Sequence, residues 1–351
     1  MIPPVYPTVA RLAACLLVVV AGCMRTEPAT NASAVRFRET RRLMGVPWTI
    51  TLYASTAAAA RAAGDAAFAE IARLEGILSD YDPDSEVSRL SAAAPTTFPV
   101  PLGDDLWQVL SQAVAWRDRS GGAFDPAVGP LTTLWRQARR SGVMPRADKL
   151  AAARQAVGSD ALVLDTSRRT AMLTKPAMRL DLGGIGMGYA IDRAMDVLAT
   201  GGIESAMIDA SGDIAVSGPP PGADAWIIDV AAFGNGGDGG GRATLHLVDA
   251  AVTTSGDAFQ AVEIDGLRYS HIVDPRSGLG VAGPAAVTVI AGDCTTADVV
   301  ATAASVLGLE AGLAFVESVP GAAARFVSSR DGERREIHSD RWPAQIAQPR
   351  R

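Results

Sequence analysis

The segment Asp181-Leu-Gly-Gly-Ile-Gly-Met-Gly-Tyr-Ala-Ile-Asp192 places the tightest constraint on the fold. Gly183, Gly184, Gly186 and Gly188 crowd a loop that opens directly into a helical pattern. Glycine lets backbone approach a neighbour closely and adopt torsions that side chains forbid. The helix that follows presents amide N–H groups and a partial positive charge, a setting that favours phosphate. No Lys-Ser/Thr pair completes a P-loop, and the spacing is not that of a dinucleotide-binding turn. A nucleotide loop and a tight structural turn both remain open on this segment alone.

The strand and helix patterns around it mix without a regular βαβ alternation, which predicts an α+β fold, mixed sheets with packed helices. Helices are expected at Ala57–Leu78, Asp104–Ser120, Arg193–Thr200 and Thr296–Glu317. Short strands are expected at Trp48–Tyr53, Ala206–Ser217, Trp226–Phe233, Ala243–Leu247 and Val287–Ile290. Gly234–Gly241 reads as a hairpin tip, and Ala344–Arg351 as a frayed tail. The 351 residues suffice for a substantial core, and a formal charge of −6 gives no sign of a nucleic-acid surface.

Residues 1–22 read as a targeting segment outside the fold. Arg11 precedes the apolar run Leu12–Ala21, which is short for a bilayer span, and Val20-Ala21-Gly22-Cys23 resembles a bacterial lipoprotein signal. Cys23 then becomes the lipidated first residue, and 23–40 a flexible tether to a domain at 41–342, with 343–351 as the tail. An ordinary secretory peptide is the alternative. Localisation is expected at the bacterial cell envelope, exported and held to a membrane by lipid. With Cys15 removed and Cys23 acylated, Cys294 is left without a disulfide partner.

Asp298 and Thr302 lie one turn apart on one helix face. They read either as a dipole partner and a back-bonding hydroxyl, or as ligands of a hard cation such as Mg²⁺. His271 ends a short strand before the turn Asp274-Pro275, and Asp257 sits at the tip of a turn formed by Thr254-Ser-Gly-Asp257. Each has a structural reading as well as a catalytic one. No Gly-x-Ser-x-Gly elbow and no zinc-ligand spacing occur.

Met44-Gly45, Ser79-x-Tyr81-x-Pro-Asp-Ser85, Gly122-Ala-Phe-Asp-Pro126, Asp181-Leu-Gly-Gly184, Thr254-Ser-Gly-Asp257, His271-Ile-x-Asp-Pro275 and Ala297-Asp298-x-x-x-Thr302 occur in that order. Together they resemble the ApbE family, the FAD:protein FMN transferases, across nearly all of 41–320. The resemblance implies an α+β fold binding FAD, as substrate, and Mg²⁺ in a cleft. FMN would be attached through a phosphoester to a threonine or serine of an exported redox protein, with AMP released. It implies that Met44, Tyr81, Ala123, Phe124, Asp125, Asp181 and Ile272 line the flavin nucleotide site, with Met187 where the family usually has lysine. By the same resemblance Gly184, through its carbonyl, with Asp298 and Thr302 would hold the metal. The chemistry needs a base for the incoming hydroxyl, for which His271 and Asp257 are the candidates, His271 being preferred because imidazole has its reference pKa near working pH. The chain also departs from the family at Ser211-Gly212, where two glycines are usual, and at Ser91, where asparagine is usual. An FAD pyrophosphatase and a catalytically impaired flavin-binding lipoprotein are the competing readings.

Overall fold

The computed structural model describes residues 34–230, 243–256, 261–282, 285–330 and 333–343. The chain opens with strands β1 (Val35–Leu43) and β2 (Val46–Ala54), helices α1 (Ala57–Leu78) and α2 (Glu86–Ala92), and the short β3 (Val100–Pro101). Helices α3 (Asp104–Arg119), α4 (Gly129–Ser141) and α5 (Ala147–Ala156) follow, then β4 (Leu162–Asp165), β5 (Thr170–Leu173) and α6 (Gly186–Thr200). Next come β6 (Ser205–Ala210), β7 (Asp213–Ser217), β8 (Trp226–Val230), β9 (Ala243–Leu247) and β10 (Ala250–Gly256). Strands β11 (Ala261–Ile264), β12 (Leu267–Val273), β13 (Gly280–Ala282) and β14 (Ala285–Ala291) lead into α7 (Cys294–Leu307) and α8 (Leu309–Glu317). Strands β15 (Ala323–Arg330) and β16 (Glu333–His338) close the chain.

An eight-stranded sheet in the order β1-β2-β6-β7-β10-β14-β15-β16 forms the frame, with antiparallel pairing between every pair of neighbours. Side chains alternate across it as the pleat requires. Ile208, Ala251, Val287 and Val289 face the main core under α1, α6, α7 and α8, whereas Val216, Val252 and Ala323 join Trp226, Ile228 and Leu245 of the β8–β9 hairpin on the opposite face. A smaller core gathers Leu131, Trp135 and Ala138 of α4 with Ile264, Tyr269 and Val273 of the β11-β12-β13 sheet. Trp135 ties it shut by donating from Nε1 to the Gly278 carbonyl at 2.9 Å.

The structure corrects several expectations. β1 begins at Val35, inside the stretch read as a tether, so the fold starts before residue 41. The expected helix 296–317 is two helices, parted at Gly308, whose φ of +78° ends the first. The stretch 206–217 is a hairpin that turns at Ser211 (φ +58°) and Gly212 (φ +105°). Thr254–Gly256 belongs to strand β10 and not to a turn. Asp257, residues 234–241 and 344–351, and the whole N-terminal segment with Cys23 lie outside the described residues.

The glycine segment also departs from its expected basis. None of Gly183, Gly184, Gly186 and Gly188 has a left-handed φ. Proximity is what requires glycine here. A Cβ on Gly188 would stand 2.5 Å from the carbonyl oxygen of Cys294 and 2.9 Å from Cα of Thr295, so α6 and α7 touch backbone to backbone. Gly188→Ala therefore forces the helices apart and should cost about 1–3 kcal/mol, as overpacked cores do. Gly76, inside α1 with nothing within 4 Å of its Cβ position, is the control. Gly76→Ala should be neutral or stabilising by about 0.4–1 kcal/mol. Urea-denaturation midpoints of the two variants against wild type check both.

Candidate active site

The glycine segment is held from every side before it reaches α6. Gly129 N–H donates to the Arg179 carbonyl (3.2 Å), Leu180 N–H to Ser91 Oγ (3.0 Å) and Asp181 N–H to the Pro126 carbonyl (2.8 Å). The Ser91 hydroxyl thus has a defined task where the family usually carries asparagine. Asp181 is buried, and both its carboxylate oxygens are occupied. Oδ1 accepts from Gly183 N–H (2.8 Å), while Oδ2 accepts from Thr132 Oγ1 (2.6 Å) and from Arg136 (2.8 Å).

Helix α7 approaches this segment with Asp298 and Thr302. Its own N-terminus is served by other acids: Asp293 accepts from Thr296 N–H (2.7 Å), and Asp192 of α6 accepts from the N–H groups of Cys294 and Thr295, both at 2.8 Å. Asp298 is therefore not needed as a dipole partner of α7. Its Oδ2 instead accepts from Gly188 N–H at 3.2 Å, in the first turn of α6. The back-bonding hydroxyl of this helix is Ser305, which donates to the Ala301 carbonyl. Thr302 Oγ1 faces Ser255 Oγ of β10 at 3.4 Å, and a Cβ on Gly184 would fall 2.9 Å from that same Oγ1. The structure thus brings Gly184, Asp298 and Thr302 together, with Ser255 beside them.

The electrostatics of this cradle are one-sided. Burial raises the Asp298 carboxyl well above its usual range, and Asp213 and Asp192 add to the effect, opposed by the Gly188 hydrogen bond. Burial pushes Asp213 up to about 7 against its hydrogen bond to Thr253, and Asp192 up to about 6 against its bonds to Thr295 and Cys294. No group of three or more His, Cys, Asp or Glu side chains able to hold a metal occurs among the described residues. The set present is one carboxylate with hydroxyl and carbonyl oxygens, a donor set suited to a hard cation that keeps other oxygen ligands. A cation there removes the charge penalty on Asp298, and the glycine at 184 leaves room where a Cβ would fill the cradle.

The remaining predicted site residues divide between surface and interior. Tyr81 is 73% exposed, its ring 4.1 Å from the Arg136 guanidinium carbon. Met44 has φ +48° and donates its N–H to Glu75 at 2.8 Å. Ala123 and Phe124 are buried, and Asp125 turns inward, accepting from Ala127 N–H (2.8 Å) and Ser159 N–H (3.1 Å). Its carboxylate shapes the loop that carries Phe124, whose ring edge lies beside Gly184. Ile272 is buried on β12, with His271 next to it and half-buried. Met187 is half-buried against the main core. Of the two cations considered as substitutes for a lysine there, Arg179 donates to the Asp80 carbonyl (2.6 Å) and Arg276 pairs with Asp274 (2.9 Å). Sequence reading missed Arg136, Asp80, Asp192, Asp213 and Ser255. Only the Thr132/Arg136 spacing, one helical turn, offered a local signal.

Since these acids carry raised values in the folded state, the native cluster keeps protons that the unfolded chain has already released above the ordinary aspartate range. The contribution of Asp192 and Asp213 to metal-free stability should thus be fully present at low pH and be lost as pH rises through about 6 and about 7, their values in the folded state. Asp213→Asn should remove the part of that fall near pH 7, and Mg²⁺ should raise stability at pH 7 in wild type but not in Asp298→Asn. Thermal melting in EDTA and in Mg²⁺ across this pH range checks the outcome.

The chain is similar to known proteins over most of its length. The family model described as the ApbE family matches residues 44–326. A protein of Treponema pallidum named FAD:protein FMN transferase is 33% identical over 285 residues, covering 77% of this chain and 78% of its own. One of the same name from Vibrio cholerae is 31% identical over 261 residues, covering 73% and 76%. Among solved structures, the flavin transferase ApbE of Vibrio cholerae superposes with a TM-score of 0.79 at 28% identity, over 88% of this chain and 98% of that one. The apo flavinyl transferase ApbE of Pseudomonas stutzeri does so with a TM-score of 0.77 at 30% identity, over 88% and 95%.

Proposed function

The chain belongs to the ApbE family, and on that premise we propose that it transfers FMN from FAD to a threonine or serine hydroxyl of an exported acceptor protein, releasing AMP. The observation that carries this reading is the cradle of Gly184, Asp298 and Thr302 at the N-terminal turn of α6. The relatives' shared name supplies the reaction, FAD:protein FMN transfer.

Phosphoryl transfer asks a protein mainly for positioning and charge neutralisation. Gly184, Asp298 and Thr302 would hold Mg²⁺, which when bound offsets the negative charge that grows on the leaving phosphate. The acceptor oxygen bonds to the FMN phosphorus, and the phosphorus–oxygen bond to AMP breaks with its electron pair leaving on AMP. The hydroxyl proton passes to a base, for which His271 is the choice. It stands half-buried on β12, a strand against which α7 packs, and imidazole titrates near neutral pH. Tyr81 presents an exposed ring for the flavin.

Incubation with FAD, Mg²⁺ and a threonine-bearing acceptor peptide should yield covalently flavinylated peptide and AMP. Free FMN plus AMP without flavinylated peptide would mark a pyrophosphatase, and unchanged FAD an inactive binder, the outcome that Met187 in place of lysine would favour. Asp298→Ala should abolish transfer. His271→Ala should lower the rate by about a hundred- to ten-thousand-fold while FAD binding persists, the range for loss of a general base. The same loss in Asp257→Asn alone would move the role there.

The cell-envelope placement rests on Val20–Cys23. No helix among the described residues is long and apolar enough to cross a membrane. Acylation at Cys23 supplies the attachment, because two or more chains anchor stably where one binds only marginally. The native protein should sediment with membranes and begin at Cys23, whereas Cys23→Ser should release it or leave it unprocessed. Fractionation with mass spectrometry of the N-terminus reads both.

A further inference from the structure

Arg136 of α4 occupies a position that the transfer reaction described above does not use. Its guanidinium pairs with two buried carboxylates at once, Asp80 in the loop after α1 and Asp181 at the head of the glycine segment. The Asp181 contact is 2.8 Å. The carbon of the same guanidinium stands over the Tyr81 ring, 4.1 Å from its centroid. Arg136 is itself only 16% exposed at the side chain, while Tyr81 is 73% exposed, so the ring is covered on the arginine side and open to solvent on the other. A second arginine secures the loop, since Arg179 donates to the Asp80 carbonyl at 2.6 Å.

An exposed aromatic ring left to itself samples several rotamers, and a planar ligand must pay to order it. Here a cation held by two buried acids fixes the ring from behind. Lysine has one charge and no plane, and does not reproduce both the forked pairing and the stack. We propose that Arg136 is a positioning residue for flavin binding, which holds the Tyr81 ring as a preformed platform while locking Asp181 and the glycine segment into register with it. The proposal rests on the reading of Tyr81 as a flavin contact. It assigns Arg136 to affinity for the flavin and not to the chemical step, and it makes Asp80 the second support of the platform.

The test is FAD titration in EDTA, followed by quenching of flavin fluorescence, together with steady-state transfer at saturating acceptor. Wild type, Tyr81→Leu, Arg136→Lys, the double variant and Asp80→Asn are compared, each with its near-UV circular dichroism. Arg136→Lys should weaken FAD binding about tenfold, a loss in the range of a desolvated cation–π contact. The KM for FAD should rise in parallel, while kcat at saturating FAD changes far less. Tyr81→Leu should weaken binding similarly, and the double variant should lose less than the sum, because both act through one platform. Wild-type affinity in a folded Arg136→Lys, full additivity, or a loss confined to kcat would overturn the assignment. Should Arg136→Lys not fold, Asp80→Asn decides: a weaker affinity supports the platform, and wild-type affinity rejects it. Equal FAD binding by wild type and Tyr81→Leu would instead remove the flavin reading of Tyr81, and Arg136's role with it.

Discussion

The contact between helices α6 and α7 is the constraint on which the rest of the site depends. The helices meet backbone to backbone at Gly188 and Cys294, and Asp192 of α6 accepts from the N–H groups that open α7. Because the approach is so close, the first turn of α6 can donate to Asp298, and Gly184 lies beside Thr302. A few tenths of an ångström of separation would loosen both pairs together. The α7 helix packs in turn against β10 and β14 of the large sheet, so the sheet sets where the cradle stands.

The site concentrates acid where water is scarce. Asp298, Asp213 and Asp192 crowd one region, and each is driven toward its protonated form by burial before any neighbour is considered. Such a cluster is costly in a protein that binds nothing there, and a bound cation would offset that cost. On the other side, Arg136 and Arg179 gather around Asp80, Asp181 and Tyr81. The negative cradle and the arginine-supported platform are joined by a single short backbone run, Asp181–Gly184.

What the sequence made legible was local. Asp298 and Thr302 stand out because one turn of an otherwise apolar helix separates them, and α1 was readable because Phe68, Ile71, Leu74 and Leu78 repeat at helical spacing. The α+β class followed from the lack of alternation. The hidden parts are those decided by partners far along the chain. Gly188 needs Cys294 to explain it, and Asp192 reaches donors 102 and 103 residues away. Arg136 gives no sign of a role until Asp80 and Asp181 arrive from elsewhere in the chain. Strand β1 reads as tether because Arg36, Arg38, Glu39, Arg41 and Arg42 make it polar, as befits a strand at the edge of a sheet.

The order of the large sheet has a bearing on how the chain reaches this state. The hairpin β1–β2 is made early, yet β2 finds its other neighbour only in β6, where Trp48 pairs with Ala210, and β10 must wait for β14. Contacts so distant in sequence slow folding, since the loop between them must close first. During synthesis the apolar face of β2 and its unpaired edge stay available to other chains until the second half of the protein has been made. The cradle assembles later still, for Thr302 lies beyond residue 300. Assembly of the catalytic centre is thereby tied to completion of the polypeptide, and a truncated product would present sticky strands without any transferase site.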